Sequence, residues 1–103
     1  MKEIKSMEDL KALEGKAVIR VYTTWCHACA SFAKTFDKVA KGIEGIAFCR
    51  CNAEVAEDVV EMYDVLSVPT CLAVEGGKVK GRLESAVPAV RLEAWIKNEL
   101  GVK

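Results

Sequence analysis

The chain predicts an α/β fold, a central mixed β-sheet flanked by helices on both faces, in the order β-α-β-α-β-α-β-β-α. Three observations carry that expectation. Up to Tyr63, runs rich in β-branched and aromatic residues alternate with segments of helical apolar spacing, which calls for parallel strands joined by crossovers. Gly76-Gly77 then separates two strand-like runs, the signature of an antiparallel hairpin at a sheet edge. Finally, 51% of the residues are hydrophobic, enough for a packed core and too many for a disordered tail.

Each element has a local reason. Ile4 belongs to a short first strand. Ser6 caps a helix whose first turn holds Glu8 and Asp9, where the dipole favours negative charge. Leu10 and Leu13 give that helix its apolar stripe and Gly15 ends it. Ala17–Tyr22 reads as a strand interrupted by Arg20. From Cys26 to about Lys41, Phe32, Phe36, Val39 and Ala40 recur at helical spacing, with Gly42 as the stop. Gly45–Cys51 is a further strand. Glu54–Tyr63 is expected to be an amphipathic helix carrying Val55, Val59 and Met62. Thr70–Val74 and Lys78–Leu83 form the hairpin. Pro88 fits the first turn of a last helix, which buries Leu92, Trp95, Ile96 and Leu100.

Length and charge narrow the function. The 103 residues make one domain, 1–103. Fifteen basic residues balance fifteen acidic ones, so a duplex nucleic acid is not expected as a partner, nor is an anionic membrane surface. No apolar run approaches the ~20 residues of a membrane span. Met1–Ser6 contains no apolar stretch resembling a signal peptide, and the expected location is the cytoplasm. A monomer is expected.

Five cysteines, Cys26, Cys29, Cys49, Cys51 and Cys71, are an odd number and cannot all pair. In a reducing compartment structural bridges are not the default. Cys49 and Cys51 alternate onto one strand face at a Cα separation of ~6.6 Å, near the upper limit for a bridge. With Cys71 they are expected to be buried thiols.

Cys26-His27-Ala28-Cys29 lies where the strand Ala17–Tyr22 gives way to a helix. The spacing sets both sulfurs on one side of the first turn. Cys26 falls at the helix N-terminus, where unpaired N–H groups favour a thiolate, the form that attacks a disulfide. Cys29, deeper in the helix, is the natural resolving thiol. Zinc sites use the same spacing, but a tetrahedral site needs four ligands and only His27 lies nearby in sequence. Redox chemistry is therefore expected over metal binding, with no bound cofactor beyond the Cys26–Cys29 couple. Ser67-Val68-Pro69-Thr70 precedes a strand. A trans proline that merely starts the strand is one reading. A cis Val68–Pro69 bond, exposing the Val68 backbone to an incoming chain, is the other.

These motifs together resemble the thioredoxin family. Trp25-Cys26-x-x-Cys29 is similar to its W-C-x-x-C, Asn52 to the Asn closing its third strand, and Val68-Pro69-Thr70 to its hydrophobic-Pro-Thr. Gly77 stands at the hairpin glycine, and Leu92…Trp95-Ile96…Leu100 at the last helix. The resemblance implies a thioredoxin fold and a disulfide reductase with Cys26 as nucleophile, recharged by a thioredoxin reductase-type donor. It also implies a cis Pro69 and a groove for disulfide-containing substrate proteins lined by Trp25, Val68, Pro69, Thr70, Ser85 and Ala86.

The departures bear on redox tuning. His27-Ala28 replaces the common Gly-Pro. A protonated His27 would make the disulfide more oxidising, whereas an exposed His27 could be without influence. Arg20 stands where the family usually has a buried Asp that helps deprotonate the second cysteine, and an Arg cannot act as that base. Arg50 occupies the position of a family Lys that pairs with the Asp. The two cations call for a carboxylate or solvent nearby, or for one of them snorkelling to the surface. Lys34 replaces a helix-kinking proline, so a straighter helix is expected. Ser85 replaces a groove glycine. Two alternatives stay open: an oxidase or isomerase of the same fold, supported by His27, and a redox-inactive or metal-binding adaptor, suggested by Arg20 and the surplus cysteines.

Overall fold

Hydrophobic alternation in the strands and 3.6-residue spacing in the helices sort the apolar side chains into two layers, one on each side of a sheet. The computed structural model describes residues 1–102. In chain order the elements are β1 (Lys2–Glu3), α1 (Met7–Lys11), β2 (Lys16–Tyr22), α2 (His27–Gly42), β3 (Ile46–Asn52), α3 (Glu57–Met62), β4 (Thr70–Glu75), β5 (Lys78–Leu83) and α4 (Ala89–Leu100). The sheet order is β1-β3-β2-β4-β5. β1 and β2 both run parallel to β3, while β4 runs antiparallel to β2 and to β5. The expected parallel crossovers and antiparallel edge hairpin are both present.

Ala17, Ile19 and Val21 point to one face, with Leu10, Leu13, Cys49, Cys51 and Val59. Val18 points to the other, with Phe32, Phe36, Cys71, Leu92 and Ile96. Thus α1 and α3 cover the first face and α2 and α4 the second. The alternation places Arg20 on the α2 side, because it lies two residues after Val18.

Several boundaries differ from expectation for local reasons. Ile4 lies just past β1, though its N–H still donates to the Arg50 carbonyl at 2.8 Å. Ser6 caps α1 as expected: its Oγ accepts from the Asp9 N–H at 3.3 Å, and Asp9 Oδ2 accepts from the Lys5 N–H at 2.8 Å. That helix stops at Lys11, before Gly15. α3 starts later than the expected Glu54, because Asn52 organises a turn ahead of it. Asn52 Oδ1 accepts from the Glu54 N–H at 2.9 Å, and the Asn52 carbonyl accepts from Val55 and Ala56. Val55, in that turn, and Met62, at the far end of α3, are 58% and 61% exposed rather than on a buried face; only Val59 of the expected three is buried. Pro88 serves as the N-cap of α4 instead of sitting within its first turn.

The hairpin turn explains one glycine. Gly77 has φ +76°, and a Cβ built there would lie 2.6 Å from the Lys11 carbonyl oxygen. The end of α1 therefore packs directly on the turn backbone, and a side chain has no room.

Candidate functional site

β2, the central strand, ends at Tyr22, and Thr23, Thr24 and Trp25 carry the chain from its C-terminal end into α2. Cys26 is the N-cap of α2, with extended backbone angles of −95° and 113°. Its Sγ accepts from the Cys29 N–H at 3.1 Å, taking the place of the usual capping oxygen. Sulfur at this position faces a helix N-terminus, where backbone donors and the dipole stabilise negative charge. The Cys26 thiol also approaches the Val68 carbonyl oxygen at 3.9 Å. The Val68–Pro69 bond is cis, which decides between the two readings left open by the residues.

Cys29 is different in character. Its side chain is 2% exposed, and burial, followed by its hydrogen bond with Cys26, pushes the thiol up to about 11. A thiol so placed holds its proton at neutral pH until an acceptor or a change of state removes it. All five cysteines are free thiols in this structure. Cys49, Cys51 and Cys71 are fully buried, and desolvation raises each, the latter two to about 12.

Arg20 and Arg50 are cross-strand partners in the β2–β3 ladder. Arg50 forms an ion pair with Glu3, Nε to Oε1 at 2.6 Å, and the Tyr22 hydroxyl donates to the other oxygen of Glu3 at 3.4 Å. The expected carboxylate therefore exists, and it serves Arg50. Arg20 is only 6% exposed and instead lies between rings, its guanidinium carbon 5.0 Å from the Tyr22 centroid and 5.5 Å from that of Phe36. Among the described residues no group accepts from Arg20 Nε or pairs with the Thr23 hydroxyl. Other atoms of these two residues, with Cys26, Cys29 and Arg50, line a solvent-open pocket of about 250 Å³.

The remaining predicted residues surround this centre unevenly. Trp25 is 72% exposed beside Cys26. His27 and Ala28 are exposed on the first turn of α2. Pro69 and Thr70 are buried, and the Thr70 hydroxyl donates to the Ser67 carbonyl at 2.8 Å. Ser85 and Ala86 are exposed on the segment joining β5 to α4. Lys34 lies within α2, which runs unbroken from His27 to Gly42. Among the described residues no three His, Cys, Asp or Glu side chains converge as a metal-ligand set.

Sequence reasoning missed three contributors. Glu3 reaches Arg50 only through the β1–β3 register. Glu54 Oε1 accepts from both the N–H and the hydroxyl of Thr24, at 3.1 and 3.0 Å, and so ties down the segment leading to Cys26. Thr23 is 8% exposed against the cavity. Only Glu54 had a local signal, its position two residues after the turn-forming Asn52.

The mixed five-stranded sheet and the dithiol at a helix N-terminus define a thiol–disulfide oxidoreductase as the class of protein. The thioredoxin family model matches residues 3–98. The thioredoxin of Mycoplasma pneumoniae is 27% identical over 92 residues, covering 89% of this chain and 90% of that protein. A chloroplastic M-type thioredoxin of Zea mays is 31% identical over 91 residues, 87% of this chain, which spans 54% of that protein's length. The X-ray structure of Fasciola hepatica thioredoxin superimposes with a TM-score of 0.87 at 24% identity, covering 96% of this chain and 99% of that one. The chain belongs to the thioredoxin family.

Proposed function

We propose that the protein reduces disulfides in substrate proteins and is recharged by a separate thioredoxin reductase-type donor. The observation that carries this reading is the placement of Cys26 Sγ, which receives the Cys29 N–H and faces the Val68 carbonyl beside an exposed Trp25.

In this reading Cys26, as thiolate, attacks one sulfur of the substrate disulfide. A mixed disulfide forms, and the other substrate sulfur leaves as a thiolate that takes up a proton. Cys29 then loses its proton and attacks Cys26 Sγ. The Cys26–Cys29 disulfide forms as the second substrate sulfur departs. Two electrons have passed from the dithiol to the substrate. The donor returns them, so the couple itself is the only redox group the cycle requires. Trp25 and the Val68 backbone offer an apolar surface and a carbonyl acceptor to an extended substrate segment, with the exposed Ser85 and Ala86 completing the groove, whereas the expected Pro69 and Thr70 are buried beneath it rather than lining it. The reading includes a cytoplasmic monomer working as one domain.

Exposed His27, adjoining Cys26 on the first turn, favours a second reading, an oxidase or isomerase. The equilibrium reduction potential in graded dithiol buffers separates the two. A value near about −270 mV supports the reductase. A value between about −180 and −120 mV supports oxidation or isomerisation. The absence of any reversible two-electron couple overturns both.

A further inference from the structure

Among the described residues six large apolar side chains stand exposed, and four of them are Trp25, beside Cys26, and Val55, Met62 and Leu66. The last three belong to residues 54–68, a stretch that leaves the cysteine site and returns to it. At its start Glu54 Oε1 accepts from the N–H and hydroxyl of Thr24. At its end the Val68 carbonyl faces Cys26 Sγ at 3.9 Å. With a chain reach of about 3.6 Å per residue, Leu66 lies within about 7 Å of Val68, Glu57 within about 11 Å of Glu54 and Asp64 within about 14 Å of Val68, Cα to Cα.

The same stretch carries Glu54, Glu57, Asp58, Glu61 and Asp64, all exposed, and no lysine, arginine or histidine. Charge and apolar surface are interleaved: Asp58 and Glu61 share an open hollow with Met7 and Met62. Of the cations bordering the stretch, Arg50 is paired with Glu3. Arg82 donates to the carbonyl oxygens of Tyr63 and Asp64, and Lys5 shares a pocket with Val55. Those last two offset at most two of the five carboxylates. Glu84, exposed next to the groove residue Ser85, adds a further negative charge. The chain as a whole is neutral, so this excess is local to the surface around the cysteine pair.

We propose that the exposed apolar side chains and carboxylates of residues 54–68 form a docking surface for partner proteins whose disulfide is flanked by lysine or arginine beside apolar residues. The proposal rests on the disulfide-reductase reading and names the substrate class of that site. Apolar contact alone does not distinguish partners by charge, whereas the carboxylates do. They speed encounter with a cationic segment and repel an anionic one. A lysine or arginine can lay its apolar stem on Met62 or Leu66 while its charged head meets a carboxylate. The redox step itself is unchanged and stays at Cys26.

The test uses two disulfide-linked peptides that share one leucine and differ only in having lysines or glutamates on either side of the cysteine. Reduction by the full-length protein is measured as kcat/KM, and each value is divided by the rate of a small uncharged dithiol with the same peptide. Sodium chloride is set at about 0.01 M and about 1 M, where the screening length is about 30 Å and about 3 Å. The lysine peptide is expected to be favoured roughly tenfold at low salt, and the preference to vanish at high salt. Glu57→Gln, Glu61→Gln and Asp64→Asn together are expected to cut the low-salt preference at least about threefold. Glu14→Gln, Glu44→Gln and Glu75→Gln together remove equal charge from the opposite end of the strands and are expected to keep it. Equal normalised rates, a preference that survives high salt, or equal effects of the two triple variants overturn the proposal and leave the reductase reading standing. Reduction of neither peptide overturns the reductase reading instead. Docking is then decided by amide chemical shifts with serine-for-cysteine peptides. Saturable shifts at Glu57, Glu61 and Leu66 with the lysine version alone support it, and their absence overturns it.

Discussion

Arg20 and Arg50 stand opposite one another on adjacent parallel strands, yet only Arg50 meets a carboxylate among the described residues. The asymmetry follows from where their side chains end. Arg50 reaches the rim, where Glu3 and water share its charge, whereas Arg20 stops between two aromatic rings beneath the cysteine pair.

Removing the buried guanidinium should therefore stabilise the fold. Desolvating such a charge costs several kcal/mol, of which each ring returns about 2 kcal/mol. Arg20→Met keeps an apolar stem and is expected to gain about 1 kcal/mol or more in urea unfolding in chloride buffer. A loss of that size would show that Arg20 has a strong counter-charge in solution.

The Arg50–Glu3 pair should matter much less. It is short, but the Arg50 side chain is 49% exposed and screened by solvent. Glu3→Gln is expected to cost no more than about 1 kcal/mol in the same measurement, and less at high salt.

Gly76 and Gly77 provide a paired experiment on the hairpin. Both have positive φ, +58° and +76°, but a Cβ meets nothing within 4 Å at Gly76 and the Lys11 carbonyl at 2.6 Å at Gly77. Gly76→Ala is expected to cost about 1 kcal/mol from backbone conformation alone. Gly77→Ala should cost at least about twice that, because α1 must also shift. Equal losses in thermal or urea unfolding would contradict the close approach.

The buried thiols set an alkaline limit on stability. Cys29 rises from 9.0 to about 11, and Cys51 and Cys71 from 9.0 to about 12. Above pH 9 the unfolded chain releases these protons while the native state keeps them, so unfolding becomes easier as pH rises toward 11 and 12. Each such thiol contributes a slope of up to about 1.4 kcal/mol per pH unit. The fully reduced protein should lose stability faster between pH 9 and 11 than the form with Cys26 and Cys29 oxidised, in which Cys29 no longer titrates. Parallel urea curves at pH 8, 9 and 10 measure the difference.

Trp25 separates recognition from folding. With 72% of it exposed, Trp25→Ala should change stability by less than about 0.5 kcal/mol. On the proposed function, KM for a disulfide-bonded protein should rise several-fold while turnover of a small disulfide stays unchanged.

The order of elements was legible because apolar spacing is a local property. Phe32, Phe36 and Val39 on α2 reveal a helix without reference to anything distant, and the Gly76-Gly77 turn announces its hairpin. The start of α3 was not legible, since Asn52 converts residues that look helical into a turn. Glu3 as the partner of Arg50 was still further out of reach. That contact depends on β1 aligning with β3 in one register, with Glu3 opposite Arg50, and register is a tertiary decision. The cysteine pair was the most legible feature, because both residues and their helix are contiguous. Arg20 stood out by its identity, but its lack of a counter-charge emerged only once Glu3 was placed.

The sheet also keeps thiol accounts apart. Cys49 and Cys51 lie on the α1/α3 face and Cys71 is sealed on the other, all with no exposed surface. A polar alkylating reagent meeting the native oxidised protein should find no thiol to modify, and the same reagent in denaturant should find three. The silent cysteines thus act as an internal gauge of foldedness: any native sample that labels before it is denatured contains either reduced couple or unfolded chain.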